Sequence, residues 1–390
     1  MLKPLEGVKV VDFTLAGAGP SGTGCLTQFG AENIWVEPIG GQAYPRLLNQ
    51  LDFYCSGKKS ITLNLKDPNG IEVMYKLIKE ADVFFHNMRQ KAVDKLGLSW
   101  KKLNELNPRL IYCSLTGWGE YGPKTDAPGY DTVCFWSRGG MLQDIAEKGS
   151  LVVPPIAVAD AATGLNAALG VCAALYQRNM TGKGMRVYTS ILAEAVYLNH
   201  DALIEVQHGE TYPKTRKAPR RAFLNTYKCS DDKWFTLLTN NFNKDFPAIM
   251  KIIGREDLID DPRWKCLDDT MYDKAPELVT ILDEGFGKLL LDDAVAALEA
   301  NDIACEKVQS TVDVLTDPQV RANNYMFDWV NPKDGKKYTM PTFPIKFGNH
   351  ELNEFTNAPE AGEHTAEILK SVGYSDEKIQ EMIDKKIAGV

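Results

Sequence analysis

The chain has 390 residues, 44% of them hydrophobic and 25% charged, a globular composition with length for one large domain and a smaller one attached. Its formal net charge of -8 lacks the basic excess of a general nucleic-acid binder. The opening "MLKPLEGVKVVDFT" carries no long apolar signal core, and no window approaches the roughly 20 apolar residues of a membrane span, so a cytoplasmic protein without a membrane partner is expected.

In chain order, "GVKVVDF" reads as a strand, "AGAGPSGTGCLTQFGA" as a small-residue turn and helix, and "ENIWVEP" as the next strand. "SITLNL" follows, then a helix in "DPNGIEVMYKLIKEA", started by Asp67 with Pro68 at its first position. "DVFFHN" and "RLIYCSLTG" are strands around the helix "SWKKLNELNP", which stops at Pro108. This alternation predicts βαβ units and a parallel sheet. A small-residue helix then runs to about Arg178, followed by the strand-like "MRVYTSI" and the long helix "LAEAVYLNHDALIEVQ". The basic, Pro-punctuated "HGETYPKTRKAPRRAFLNTYKCSDDKW" marks a boundary. The expected architecture is α/β: a Rossmann-like large domain beginning with residues 1–200, a smaller α/β domain at 225–315, and a return of 320–390 to the large domain.

Chemistry concentrates at a few points. Asp160 stands between the apolar run "VVPPIAVA" and the helix "AATGLNAALG". It reads either as an N-cap or as a nucleophile kept ionised by the helix dipole, and one residue can serve as both. Ala159, Ala161 and Ala162 allow close approach, and the helix start at 161–164 offers N–H groups for an oxyanion. "GAGPSG" matches a dinucleotide fingerprint with Glu37 as the ribose acid, but Pro20 sits inside the turn; the alternative is small residues allowing close packing. Eight scattered cysteines form no CxxC pair, and five histidines (His86, His200, His208, His350 and His364) show no ligand spacing, so no metal is expected. Lys214, Arg216, Lys217, Arg220 and Arg221 form either a solvated face or a grip on phosphates. Trp118, Tyr121, Phe135 and Trp136 are either core or the wall of an acceptor pocket suited to an aromatic or branched side chain.

Four pieces in order, "GVKVVDFT…AGPSGTGCLTQFGAENIWVEP", "GKKSITLNLKDPNG", "LIYCSLTGWGEYGPKTDAPGYD" and "VADAATG…AALYQRNMTGKG", resemble the class III (CaiB/BaiF) coenzyme A transferases. The likeness continues through "DPQVRANNYM" and "APEAGEHTAEILKSVGY". Within the family, "PGYDTVCFWSRGG" resembles the enzymes that pass CoA to 2-hydroxy acids such as phenyllactate or 2-hydroxyisocaproate. The resemblance implies Asp160 as nucleophile, carrying acyl-aspartyl anhydride and aspartyl-CoA thioester intermediates. It implies Leu63, Lys66, Asn87, Ala92, Lys95 and Leu96 as CoA contacts, Tyr130 as a pocket tyrosine, and Asp131 as an acid near the nucleophile. It implies acyl-CoA and a carboxylic acid as substrates, no permanently bound cofactor, and an interlocked homodimer. Two departures count against oxalate chemistry: Gly17 stands where the formyl-CoA branch has glutamine, and no glycine-only flap is present. Residues 214–226 are the expected replacement for that flap. Racemases sharing the fold use histidine where Tyr130 stands, and a phenol is a poor base at neutral pH. A CoA-ester isomerase, or a transferase for a carnitine-type or dicarboxylic acid, is the alternative.

Overall fold

The computed structural model describes residues 3–42, 50–147, 149–348 and 352–389; His350 lies outside the described residues. The chain divides into two compact units, residues 1–141, 153–204 and 327–390 in one, 142–152 and 205–326 in the other.

The first unit is built on a seven-stranded sheet. Its strands are β1 (Lys9–Phe13), β2 (Glu32–Glu37), β3 (Lys59–Leu63), β4 (Val83–His86), β5 (Ile111–Thr116) and β6 (Met185–Ser190). They lie in the order β3-β2-β1-β4-β5-β6, all parallel, and the short C-terminal strand Ala388–Gly389 adds antiparallel to β3. This is the doubly wound arrangement, and the order reverses between β1 and β4. Every residue of β4 is buried, as are Ile111 to Leu115 of β5, because helices cover both faces of a parallel sheet. The helix Pro68–Glu80 begins as the sequence predicts, with the Asp67 carboxylate accepting the Asn69 N–H at 2.8 Å.

The helices Ala18–Gln28 and Val158–Thr181 pack against each other. Val158–Thr181 is long and apolar enough by length and composition to cross a membrane, which the sequence reading did not count. Part of its surface is core: Thr163, Ala167 and Val171 are buried, and the buried Arg178 pairs with Asp82 at 2.8 Å.

The second unit is a three-stranded antiparallel sheet of β7 (Leu224–Lys228), β8 (Trp234–Leu238) and β9 (Ala304–Lys307). The helices Phe242–Ile252, Ala275–Phe286 and Leu291–Glu299 share its core, in which Tyr227, Phe235, Phe246, Leu282 and Phe286 are buried together.

Candidate functional site

Three glycines bring the candidate nucleophile into place. A Cβ on Gly22 would lie 2.8 Å from the Gly164 carbonyl oxygen, and one on Gly164 would lie 2.6 Å from that of Ala18. Only hydrogen at both positions lets the two helices approach this closely. The approach sets the Asp160 carboxylate against Gly17, where an added Cβ would meet Asp160 Oδ2 at 2.3 Å. The small residues after β1 thus serve helix–helix packing, and not only packing on the sheet.

Asp160 is not the cap of its helix. The helix begins at Val158, after Ala157 at φ 68°, and Asp160 falls in its first turn. The cap comes from 29 residues upstream: Asp131 Oδ2 accepts the Ala159 N–H at 2.9 Å and the Asp160 N–H at 3.3 Å. The helix therefore starts earlier than the sequence suggests. Ala161 N–H donates to Ala157 O at 2.9 Å, so the expected run of open donors at 161–164 begins inside the helix's own ladder. The net shift of the carboxyl also runs opposite to the one a helix dipole gives. Burial, then the Asp131 charge, push the Asp160 carboxyl up to about 6, which leaves it mostly ionised at neutral pH.

A cavity of about 370 Å³ holds Asp160 together with Gly17, Asn87, Arg89, Ala92, Trp118 and Tyr130. A second cavity, of about 830 Å³, is walled by Leu63, Lys66, Leu96, Glu37 and Lys386. The two share Leu15, Met88 and Tyr130. Both open beside the carboxyl ends of β1 to β4, at the point where the strand order reverses. Of the residues expected to contact CoA, only Lys95 lies on neither wall; it is exposed at the end of the helix Gln90–Lys95. Of the four aromatic residues weighed for the acceptor pocket, Trp118 alone lines the smaller cavity. Tyr121 is 85% exposed, and Phe135 and Trp136 are core.

Several working residues escaped the sequence reading. The Lys58 ammonium and Asp12 carboxylate, both wholly buried, meet at 2.9 Å. Lys58 also donates to Thr23 Oγ1 at 2.8 Å and the Pro20 carbonyl at 3.3 Å. Asp12 accepts the Thr14 N–H at 3.0 Å and hydroxyl at 2.5 Å, and the Thr23 hydroxyl at 2.6 Å, so every oxygen is satisfied. This network anchors the loop after β1 to the helix Ala18–Gln28. Asn87, which the sequence reading expected only as a CoA contact, clamps the same loop, accepting the Leu15 N–H at 2.9 Å and donating to the Leu15 carbonyl at 2.7 Å. Ala16, at φ 62°, is held in the left-handed region beside Gly17. Lys386 reaches the wall that Lys66 lines because Ala388 pairs with Leu63. "NMRQ" offered a hint of Arg89; nothing local marks Lys58 or Lys386.

The basic run is largely part-buried and paired, with Lys217 its only exposed cation, and it is not a free grip on phosphate. Arg216 makes a bidentate pair with Asp283 at 2.9 Å, and Lys217 reaches the same carboxylate at 2.6 Å. Lys214 pairs with Glu210, Arg220 with Glu205, and Arg221 donates to Asn240 at 2.9 Å. Glu37 is buried and accepts the Ser60 hydroxyl at 2.6 Å. Burial pushes the Cys25 and Cys55 thiols up to about 12, the state of inert core cysteines. Among the described residues no three His, Cys, Asp or Glu side chains gather as a metal cage.

A doubly wound sheet with ligand-sized cavities and a carboxylate at its switch point defines an α/β enzyme site. The family model for CoA-transferase family III matches residues 5–365, and the chain belongs to that family. It is a CoA transferase. It is 35% identical to the (R)-2-hydroxy-4-methylpentanoate CoA-transferase of Clostridioides difficile, over 98% of this chain and 99% of that one. It is 31% identical to the cinnamoyl-CoA:phenyllactate CoA-transferase of Clostridium sporogenes, over 97% and 95%. Among solved structures, a CaiB/BaiF family protein from Brucella suis superposes with a TM-score of 0.79 at 27% identity, covering 95% of this chain and all (100%) of that one.

Proposed function

We propose that this enzyme passes CoA from an acyl-CoA to a free 2-hydroxy acid, with Asp160 as the covalent relay. The observation that carries this reading is the place of the carboxylate, pressed against Gly17 in a cavity that shares Leu15, Met88 and Tyr130 with a larger one. The 2-hydroxy acid follows from the substrates named for the two transferase relatives. Leu115, Trp118 and Ile191 on the smaller cavity suit a branched or aromatic side chain.

In this mechanism an Asp160 oxygen attacks the thioester carbonyl, the C–S bond breaks, and its electron pair leaves on CoA thiolate. The acyl-aspartyl anhydride keeps the activation that hydrolysis would lose. The thiolate then attacks the Asp160 carbonyl and expels the donor acid as its carboxylate, leaving an aspartyl-CoA thioester. The carboxylate of the incoming acid attacks that thioester and releases the thiolate. Thiolate attack on the new anhydride yields the product CoA ester and frees Asp160. The N–H groups of Ala18 and Gly19, without acceptors in their own helix, serve the tetrahedral oxyanions. Lys66 and Lys386 hold CoA phosphates, Leu63 and Leu96 its apolar parts, and Asn87 and Ala92 shape the passage toward Asp160. Lys95, off both walls, makes no contact in this scheme. Every reacting group is protein or substrate, so no bound cofactor is needed.

The enzyme is read as cytoplasmic and homodimeric. Exposed Leu169, Tyr176 and Met180 recur at helical spacing along Val158–Thr181, an apolar stripe suited to a second copy. The mechanism is tested by incubation with an acyl-CoA, hydroxylamine trapping and peptide mass spectrometry. A hydroxamate on Asp160 is expected, and an unmodified Asp160 with every CoA ester tried would sink the scheme.

A further inference from the structure

Resting on the relay role of Asp160, we propose that Asp131 is a positioning residue: it caps the helix in place of Asp160 and sets a like, negative charge beside it, leaving the nucleophile free and reactive. An aspartate in the first turn of a helix ordinarily folds back onto the nearest free N–H groups, and a nucleophile so engaged is blunted. Here the N–H groups of Ala159 and Asp160 itself are already bonded to Asp131 Oδ2.

The device is built, not adventitious. A Cβ on Gly117 would lie 2.6 Å from Gly129 Cα, so the loops carrying them touch. Trp118 Nε1 donates to the Pro128 carbonyl at 3.0 Å, and the Cys134 N–H donates to the Tyr130 carbonyl at 2.9 Å. Asp131 is held between these fixed points and is only 6% exposed. Its second oxygen, Oδ1, is buried and takes no hydrogen bond from the described residues. Asp12 shows the usual alternative, a buried carboxylate with both oxygens satisfied. Asp131 instead keeps a poorly neutralised charge beside the nucleophile.

That charge has a consequence along the reaction. As Asp160 forms its bond to the acyl carbon, negative charge leaves the carboxylate for the thioester oxygen and then for the departing sulfur. Repulsion from Asp131 is relieved on the way, which raises the free carboxylate relative to the transition state. Two other titratable groups feel Asp160. Tyr54 and Cys134 have deprotonation pushed up, by burial first and by the Asp160 charge after it, so both are neutral near pH 7. Burial first, and the Asp131 carboxylate after it, raise the carboxyl of Asp160.

Asp131→Asn keeps an acceptor for the cap and removes the charge; Asp131→Glu restores the charge. Steady-state pH profiles and peptide-mapped carbodiimide labelling of Asp160 are measured on both. For Asp131→Asn the acid limb and the labelling midpoint are expected to move to lower pH. Plateau kcat falls about tenfold while KM for the acyl-CoA stays within about twofold, and Asp131→Glu returns the limb toward wild type. A limb and midpoint that coincide with wild type in folded Asp131→Asn would overturn the proposal. The labelling midpoint needs no turnover, so a wild-type enzyme that traps no acyl group defeats the relay reading separately.

Discussion

Replacing Gly17 by alanine adds one methyl carbon, which would sit 2.3 Å from Asp160 Oδ2 and 3.0 Å from its Cγ. Gly17 has φ -103°, a conformation alanine adopts without strain, so the effect is not one of backbone freedom. Ordinary van der Waals contact begins at 3.4 Å, and the carboxylate must retreat by about 1 Å to restore it. A reacting group displaced by about 1 Å costs on the order of 100-fold in rate. The clash falls on the end of a side chain that can swing, so the stability loss stays at the low end of overpacking, about 1 kcal/mol. The assay pairs kcat for acyl-CoA turnover with a urea unfolding midpoint. A folded Gly17→Ala enzyme with kcat within about threefold of wild type would refute the claim that Gly17 sets the nucleophile's position.

Other expectations follow from the same contacts. Lys58→Met leaves the buried Asp12 carboxylate without its ion-pair partner and should cost about 3–5 kcal/mol by urea unfolding; a loss under about 1 kcal/mol would contradict the network. In the folded chain the Asp160 carboxyl sits at about 6, above the ordinary aspartate value of 3.8, so between these values the folded state binds more protons than the unfolded one. Its charge therefore weakens the fold as pH rises through that window. Asp160→Asn should abolish transfer yet stabilise the chain by about 1–3 kcal/mol at about pH 8, with no gain at about pH 3. An equal gain at both would show that the carboxyl is not perturbed. Lys386→Ala should raise KM for acyl-CoA several-fold with kcat unchanged, and an unaltered KM would remove Lys386 from the CoA wall.

Much of the architecture is legible in the sequence because its signals are local. Strand and helix alternate over the first hundred residues, Asp67 and Pro68 start a helix where such a pair should, and the parallel sheet follows from the spacing. Asp160 stands out as a lone acid between an apolar run and a small-residue helix, and the ordered motifs point to the family that the comparison finds. What surrounds Asp160 belongs to the tertiary structure. Its cap is an acid 29 residues upstream, its neighbour is the glycine just before another helix, and the lysine under the loop comes from β3's approach. Lys386 joins Lys66 only because the last strand pairs with β3. The basic run looked available until folding placed Asp283 and Glu205 beside it. Propensity and capping act over a few residues, so sequence determines the elements. Which donor meets which acceptor depends on how closely helices cross, here at Gly22 and Gly164, and no single window of sequence contains both sides of that crossing.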